Sequence, residues 1–277
     1  MILVTGATGN VGGVLLDELH ASGVGPLRAL TRDVTQARFP EGVEAMKGDL
    51  ADPTSWKPAF EGVRSLFLVP HLGPDAEILQ AARHAGVEHV VLLSSITVQT
   101  HPHLGPAQGN REVERLLKES GMAWTVLRPT QFASNTLMWA TAVREGEAIH
   151  APYGDVALPT IHPADIAAVA RVALTEPDHQ GRTYALTGPE RVTPRQQVAA
   201  IASALGRALD FSEISREQAH ARMVAVFGAE AADAVLDVTG GDVNDELSTV
   251  RDTVSRVTGA SARPFRQWAS ENVAAFR

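Results

Sequence analysis

An α/β fold is what the sequence predicts: a doubly wound parallel sheet with a smaller, mostly helical C-terminal lobe. Three observations carry this. Apolar runs of strand length alternate with helix-periodic segments through roughly the first half of the 277 residues. A glycine-rich turn, TGATGNVG at 5–12, follows the first run and opens the first helical stretch. Beyond residue 130 the alternation loosens into capped helices. Strand–helix alternation implies parallel strands joined by right-handed crossovers, hence a doubly wound sheet. With 44% hydrophobic residues the chain can bury a sizeable core.

The predicted strands, in order, are ILVTG (2–6), LRALTR (27–32), VEAMKG (43–48), SLFLV (65–69), HVVLLSS (89–95) and WTVLRP (124–129). Helices are predicted between them at 11–23, 75–86 and 110–121. In the first, Leu15, Leu16 and Leu19 share one face. Gly23, Gly86 and Gly121 stop the three helices, as glycine accepts the left-handed conformation after a last turn. Further on, 163–176 is helical with Pro163 in its first turn, and 183–188 reads as another strand. The helix at 193–206 has Thr193 as N-cap and Gly206 at its end, and the one at 215–228 opens on a Ser-x-x-Gln capping box.

The turn at 5–12 carries Gly6, Gly9 and Gly12. The first glycine permits the tight turn, the second lets backbone approach a pyrophosphate, and the third allows close helix–strand packing. The helix N-terminus then offers free N–H groups and a positive dipole end to phosphate. With the turn so placed, the expected binding residues are Gly6, Thr8, Gly9, Asn10, Val11 and Gly12. An NAD site puts an acid at the end of the second strand, but Thr31 and Arg32 stand there. Arg32 can fork onto a 2′-phosphate, which favours NADP. Asp33, one residue on, leaves NAD open. Asp49 and Leu50 are expected to edge the adenine, and Val69, Pro70 and His71 to lie near the nicotinamide ribose. The Rossmann domain is thus expected over 1–150 plus about 162–188. The substrate lobe is expected over about 189–277 plus about 130–161.

Composition narrows the function classes. A formal charge of −8 disfavours nucleic-acid binding, because phosphate repels an acidic surface. The absence of cysteine excludes disulfides, cysteine–zinc sites and cysteine nucleophiles. No targeting segment is visible, and no stretch approaches the ~20 apolar residues of a membrane span. The expectation is a cytoplasmic protein, monomer or homodimer, with a small-molecule substrate and neither a membrane nor a metal as partner.

The ordered motifs TGATGNVG, TRD, GDLADP, LLSS and REVERLLKESGMAWTVLRPTQFASN resemble the NmrA-like atypical short-chain dehydrogenases/reductases. The resemblance is nearest to their NAD(P)H:quinone oxidoreductase branch and covers nearly the whole chain. It implies an NADP-dependent oxidoreductase, with Ser94 and Ser95 at the end of the fifth strand and Ser95 as the counterpart of the family's catalytic serine. It also implies that Pro129 and Phe132 flank the nicotinamide, and that Asn135, Met138 and Trp139 begin the substrate wall. Helical spacing favours a plain core role for Met138. Tyr153 is expected to line the cleft from the loop side.

Related dehydrogenases carry a Tyr-x-x-x-Lys pair on the helix after the fifth strand. Here Pro106 and Asn110, within GPAQGN, fall at those positions. No alignment slip restores the pair. The residues four after the two tyrosines, Tyr153 and Tyr184, are Ala157 and Gly188. Four before the three lysines stand Val43, Pro53 and Glu114. Reducing an isolated ketone makes a strongly basic alkoxide that needs a positioned acid. Reducing a quinone makes a delocalised, weaker base. The sequence therefore favours a quinone-like or extended enone acceptor, as in aromatic polyketide tailoring, with His101 and His103 as substitute proton donors. A non-catalytic nucleotide sensor is the main alternative. A flavin-free, metal-free oxygenation of a bound quinol or anthrone is a variant, and a nucleotide-sugar epimerase or dehydratase is disfavoured by the missing pair.

Overall fold

The computed structural model describes residues 1–277, the side chain of Phe227 excepted. Its first half alternates β1 (Ile2–Val4), α1 (Gly12–Ala21), β2 (Leu27–Thr31), β3 (Glu44–Lys47), α2 (Pro53–Trp56), β4 (Ser65–Leu68), α3 (Asp75–His84), β5 (His89–Leu93), α4 (Thr97–Thr100), α5 (Gly105–Glu119) and β6 (Ala123–Pro129). The second half adds β7 (Gln131–Phe132), α6 (Ala140–Glu145), β8 (Ile149–Ala151), β9 (Leu158–Ile161), α7 (Pro163–Thr175), β10 (Arg182–Leu186), β11 (Arg191–Val192) and α8 (Pro194–Leu205). It ends with β12 (Phe211–Glu213), α9 (Arg216–Phe227), α10 (Ala229–Leu236), α11 (Asp245–Ser248), α12 (Thr253–Thr258) and α13 (Phe265–Glu271).

Seven strands make one sheet in the order β3-β2-β1-β4-β5-β6-β10, parallel throughout. Helices cover both faces, so the inner strands are apolar almost without alternation, and β1 and β5 are buried along their whole length. The order reverses between β1 and β4, and the crevice above that switch point is where such sheets bind ligands.

On one face α1 and α7 pack side by side through Leu15, Leu16, Leu19, Ile166 and Ala170. On the other, Trp56, Phe60, Ile78, Val113 and Leu117 form the second core. A third core joins Ala133, Val143, Ile201, Phe265, Trp268 and Phe276, and it is the centre of the smaller lobe. Each fully buried Val, Leu, Ile or Phe among them contributes about 1.5–3 kcal/mol. The C-terminal segment does not stay in that lobe. Val254 of α12 returns to the first core, so part of 189–277 belongs structurally to the sheet domain.

One helix starts earlier than its sequence suggests. The GPAQGN stretch is the first part of α5, with Pro106 within its first two positions. Proline suits that place because its missing N–H has no helical partner there.

Candidate active site

The crevice over β1 and β4 is shaped by glycine. Gly6 has φ +59°, and a Cβ on it would meet Val69 Cγ2 at 2.9 Å. A Cβ on Gly12 would stand 2.3 Å from the Gly6 carbonyl oxygen, and one on Gly9 would stand 3.1 Å from it. Only glycine keeps so close a turn. No side chain caps α1, and no acid stands in its first turn. The Gly13 N–H bonds the Gly9 carbonyl at 3.1 Å, while the Gly12 N–H at the helix start has no such bond, and the cradle fits a dinucleotide pyrophosphate.

A cavity of about 270 Å³ runs from this turn, lined by Gly6, Thr8, Gly9, Arg32, Asp49 and Leu50 among others. Leu72 also reaches it, a contribution the sequence did not reveal. Asn10 is exposed at the turn, whereas Val11 is buried in the first core and offers only backbone. The Asp33 carboxylate accepts bonds from the Thr35 N–H (2.8 Å) and hydroxyl (2.6 Å). Those bonds hold its carboxyl below the usual value and turn it towards its own loop. Arg32 makes no ion pair among the described residues and lines this cavity.

A second cavity, of about 240 Å³, opens beyond the ends of β5 and β6, lined by Ser94, Ser95, Pro129, Thr130, Phe132 and Val238 among others. Ser94 donates to Glu114 Oε1 at 2.7 Å and is occupied by that bond. Ser95 Oγ accepts from the Thr97 N–H (3.2 Å) and hydroxyl (2.8 Å), which leaves its own proton free. The Thr130 hydroxyl is buried without any partner in the protein. None of this cavity's lining residues carries an ionisable side chain.

A third cavity, of about 200 Å³, shares Gln131, Phe132 and Asn135 with the second. Trp139, Pro152, Val156 and Met223 make its walls. Met138 also lines it and is 62% exposed, so the core role expected of Met138 is corrected. Helical spacing marked a face there, but no element packs over it.

Several expected residues lie elsewhere. His101 is fully buried; Nε2 donates to the Asp242 carbonyl at 2.7 Å, and Nδ1 is hydrogen-bonded with the Thr100 hydroxyl at 2.8 Å. With both nitrogens engaged it cannot serve as the proton donor, and that expectation is corrected. His103 is exposed and lines neither of these cavities. Tyr153 does not line the cleft. Its ring packs on Gly240, where a Cβ would lie 2.2 Å from Tyr153 Cγ. Val69 lies under the phosphate turn, with its N–H bonded to Thr5 Oγ1, and Pro70 beside it is buried. His71, at φ +63°, leans on α5 instead: its Nε2 lies 3.3 Å from Asn110 Oδ1. At Gly105 the first turn of α5 touches Glu230 of α10. This helix start is a seat for the lobe.

A parallel sheet with a glycine cradle at its switch point and a neutral cleft beyond is the architecture of a dinucleotide-binding protein. The chain belongs to the NAD(P)H-binding family, whose model matches residues 6–177. It is 38% identical to the (4-alkanoyl-5-oxo-2,5-dihydrofuran-3-yl)methyl phosphate reductase of Streptomyces griseus, over 100% of this chain and 99% of that protein. It is 37% identical to the NAD(P)H azoreductase of Xenophilus azovorans, again over 100% and 99%. The NADPH-dependent quinone oxidoreductase QOR2 of Escherichia coli superposes with a TM-score of 0.80 at 27% identity, covering 98% of this chain and 99% of that one. The protein is an NAD(P)H-dependent oxidoreductase whose cofactor is NADP, with NAD as the alternative. Among the described residues, no group of three acidic or histidine side chains could hold a metal. No helix is long and apolar enough to cross a membrane.

Proposed function

We propose that the protein reduces quinone-like or extended conjugated acceptors, a class that includes aromatic polyketide quinones, without a dedicated acid. The observation that supports this is the neutral wall shared by the second and third cavities: Gln131, Phe132 and Asn135. Such a wall stacks and hydrogen-bonds an acceptor but has no tuned proton to give.

NAD(P)H, when bound, supplies a hydride. The Gly6–Gly12 turn and Arg32 hold the dinucleotide by its phosphates. Pro129 and Phe132 close an apolar surface around the reacting end and exclude water. Ser95 and Thr130 offer hydroxyl protons to an oxygen that gains charge, and the proton that completes the reduced product comes from solvent. A reduced quinone is a phenol, with a pKa of about 10, so water protonates it readily. The alkoxide of an isolated ketone is far more basic and gains little from this wall. Proximity then carries most of the rate. The relatives that reduce azo and furanone compounds also take conjugated acceptors, in keeping with this reading.

NADPH oxidation with a panel of quinones, azo compounds and isolated ketones tests it. Turnover of conjugated acceptors and none of ketones is expected. Ketone turnover at comparable rates overturns the proposal. Tight NADPH binding with no turnover on the panel favours a nucleotide sensor.

A further inference from the structure

We infer that the acceptor carries an anionic group, a carboxylate, sulfonate or phosphate, on its apolar conjugated body, and that Arg222 reads it. This rests on the third cavity being the acceptor's chamber.

The chain is acidic, with 32 Asp and Glu against 24 Lys and Arg. Yet no carboxylate lines the third cavity. Its only titratable lining groups are Arg222 and His150. Arg222 sits on α9, and its pocket neighbours Ala219 and Met223 are three residues before it and one after, so they share a helical face. The other basic residues of α9 are paired. Arg216 meets Asp233 at 3.0 Å and Asp237 at 2.9 Å, and His220 meets Asp233 at 3.5 Å. Of the basic residues of α9, Arg222 alone has no carboxylate partner among the described residues.

An arginine at the side of an apolar chamber favours an oxyanion that presents two oxygens for its guanidinium to fork onto. Nearby carboxylates would cancel that field, and the lining has none. Arg222 does not touch the second cavity. The reducible end of the acceptor therefore lies against Phe132 and Asn135, with the anion displaced towards α9. The acceptor is thus a two-part molecule, apolar and conjugated at the reacting end and charged at the other.

The test compares naphthoquinone with naphthoquinone sulfonate in the native protein, Arg222→Gln and Arg222→Lys. The ratio of kcat/KM for the sulfonate to that for the neutral quinone is expected to fall about tenfold in Arg222→Gln, through KM, and to recover in part in Arg222→Lys. The native ratio is also expected to fall as salt rises. An unchanged ratio in Arg222→Gln overturns the inference, even while both quinones turn over. If the native protein reduces neither quinone, the acceptor reading fails separately. Arg222 is then judged by calorimetry with naphthalene sulfonate on the NADP-loaded protein. About tenfold weaker binding by Arg222→Gln supports the anion site, and equal affinity overturns it.

Discussion

The Ser94 hydroxyl donates to Glu114 Oε1 at 2.7 Å, and Arg128 grips the same carboxylate at 2.9 Å (Nε to Oε1) and 2.7 Å (Nη2 to Oε2). This buried group ties β5, α5 and β6 together directly under the cleft. Burial pushes the Glu114 carboxyl up, but the Arg128 and Ser94 bonds outweigh it and hold it below its usual 4.5. Its stabilisation is therefore present above that value and lost as pH falls through the lower, folded one. Glu114→Gln is expected to lose about 3 kcal/mol at neutral pH, since it leaves Arg128 buried without its charge partner. In urea unfolding the gap between native and variant should close below pH 4.5. A constant gap down to full acid denaturation refutes the assignment.

Arg32 stands over the first cavity with no carboxylate partner. Arg32→Ala should weaken NADPH by about tenfold or more, with a much smaller effect on NADH. Fluorescence titration of both nucleotides decides it. Equal losses remove the 2′-phosphate role.

Gly12 and Gly13 are neighbours with opposite tolerance. A Cβ at Gly12 meets the Gly6 carbonyl at 2.3 Å, while at Gly13 the nearest atom is 3.4 Å away. Gly12→Ala should lose NADPH affinity and melt lower. Gly13→Ala should bind normally and gain up to about 1 kcal/mol from helix propensity. Calorimetry and thermal melts check the pair.

Thr130 holds a buried hydroxyl with no partner in the protein. Thr130→Val keeps the shape and removes that donor. A fall in kcat of about tenfold or more on quinones is expected. Unchanged kcat would show that the hydroxyl does not meet the acceptor's oxygen.

His101→Asn should cost about 1–3 kcal/mol by leaving the Asp242 carbonyl or the Thr100 hydroxyl unpaired. The pH profile of kcat should keep its native form. A changed profile would restore the proton-donor role.

The sheet and the phosphate turn were legible because their signals are local. Strand-length apolar runs, helical spacing and the three glycines each act within a dozen residues. The errors came from distance. His101 follows the fifth strand where a donor belongs, but its partner Asp242 is 141 residues away. Tyr153 looked available until Gly240 was beside it. The helix start at Gly105 reads as a loop, because the lobe helix that settles on it lies far along the chain. Met138 shows the converse, since helical spacing marks a face but not whether anything covers it.

The roof over the second and third cavities is fastened from far away. Gln131 bonds the Val238 carbonyl, His101 the Asp242 carbonyl, and Asn244 the Thr100 carbonyl. Val238 and Thr239, consecutive residues, face the second and third cavities respectively. The ceiling over both cavities is therefore supplied only by residues past 235, and Val254 reaches back to the core under α1. Neither the cradle's support nor the cleft's roof is complete until nearly the whole chain has been made.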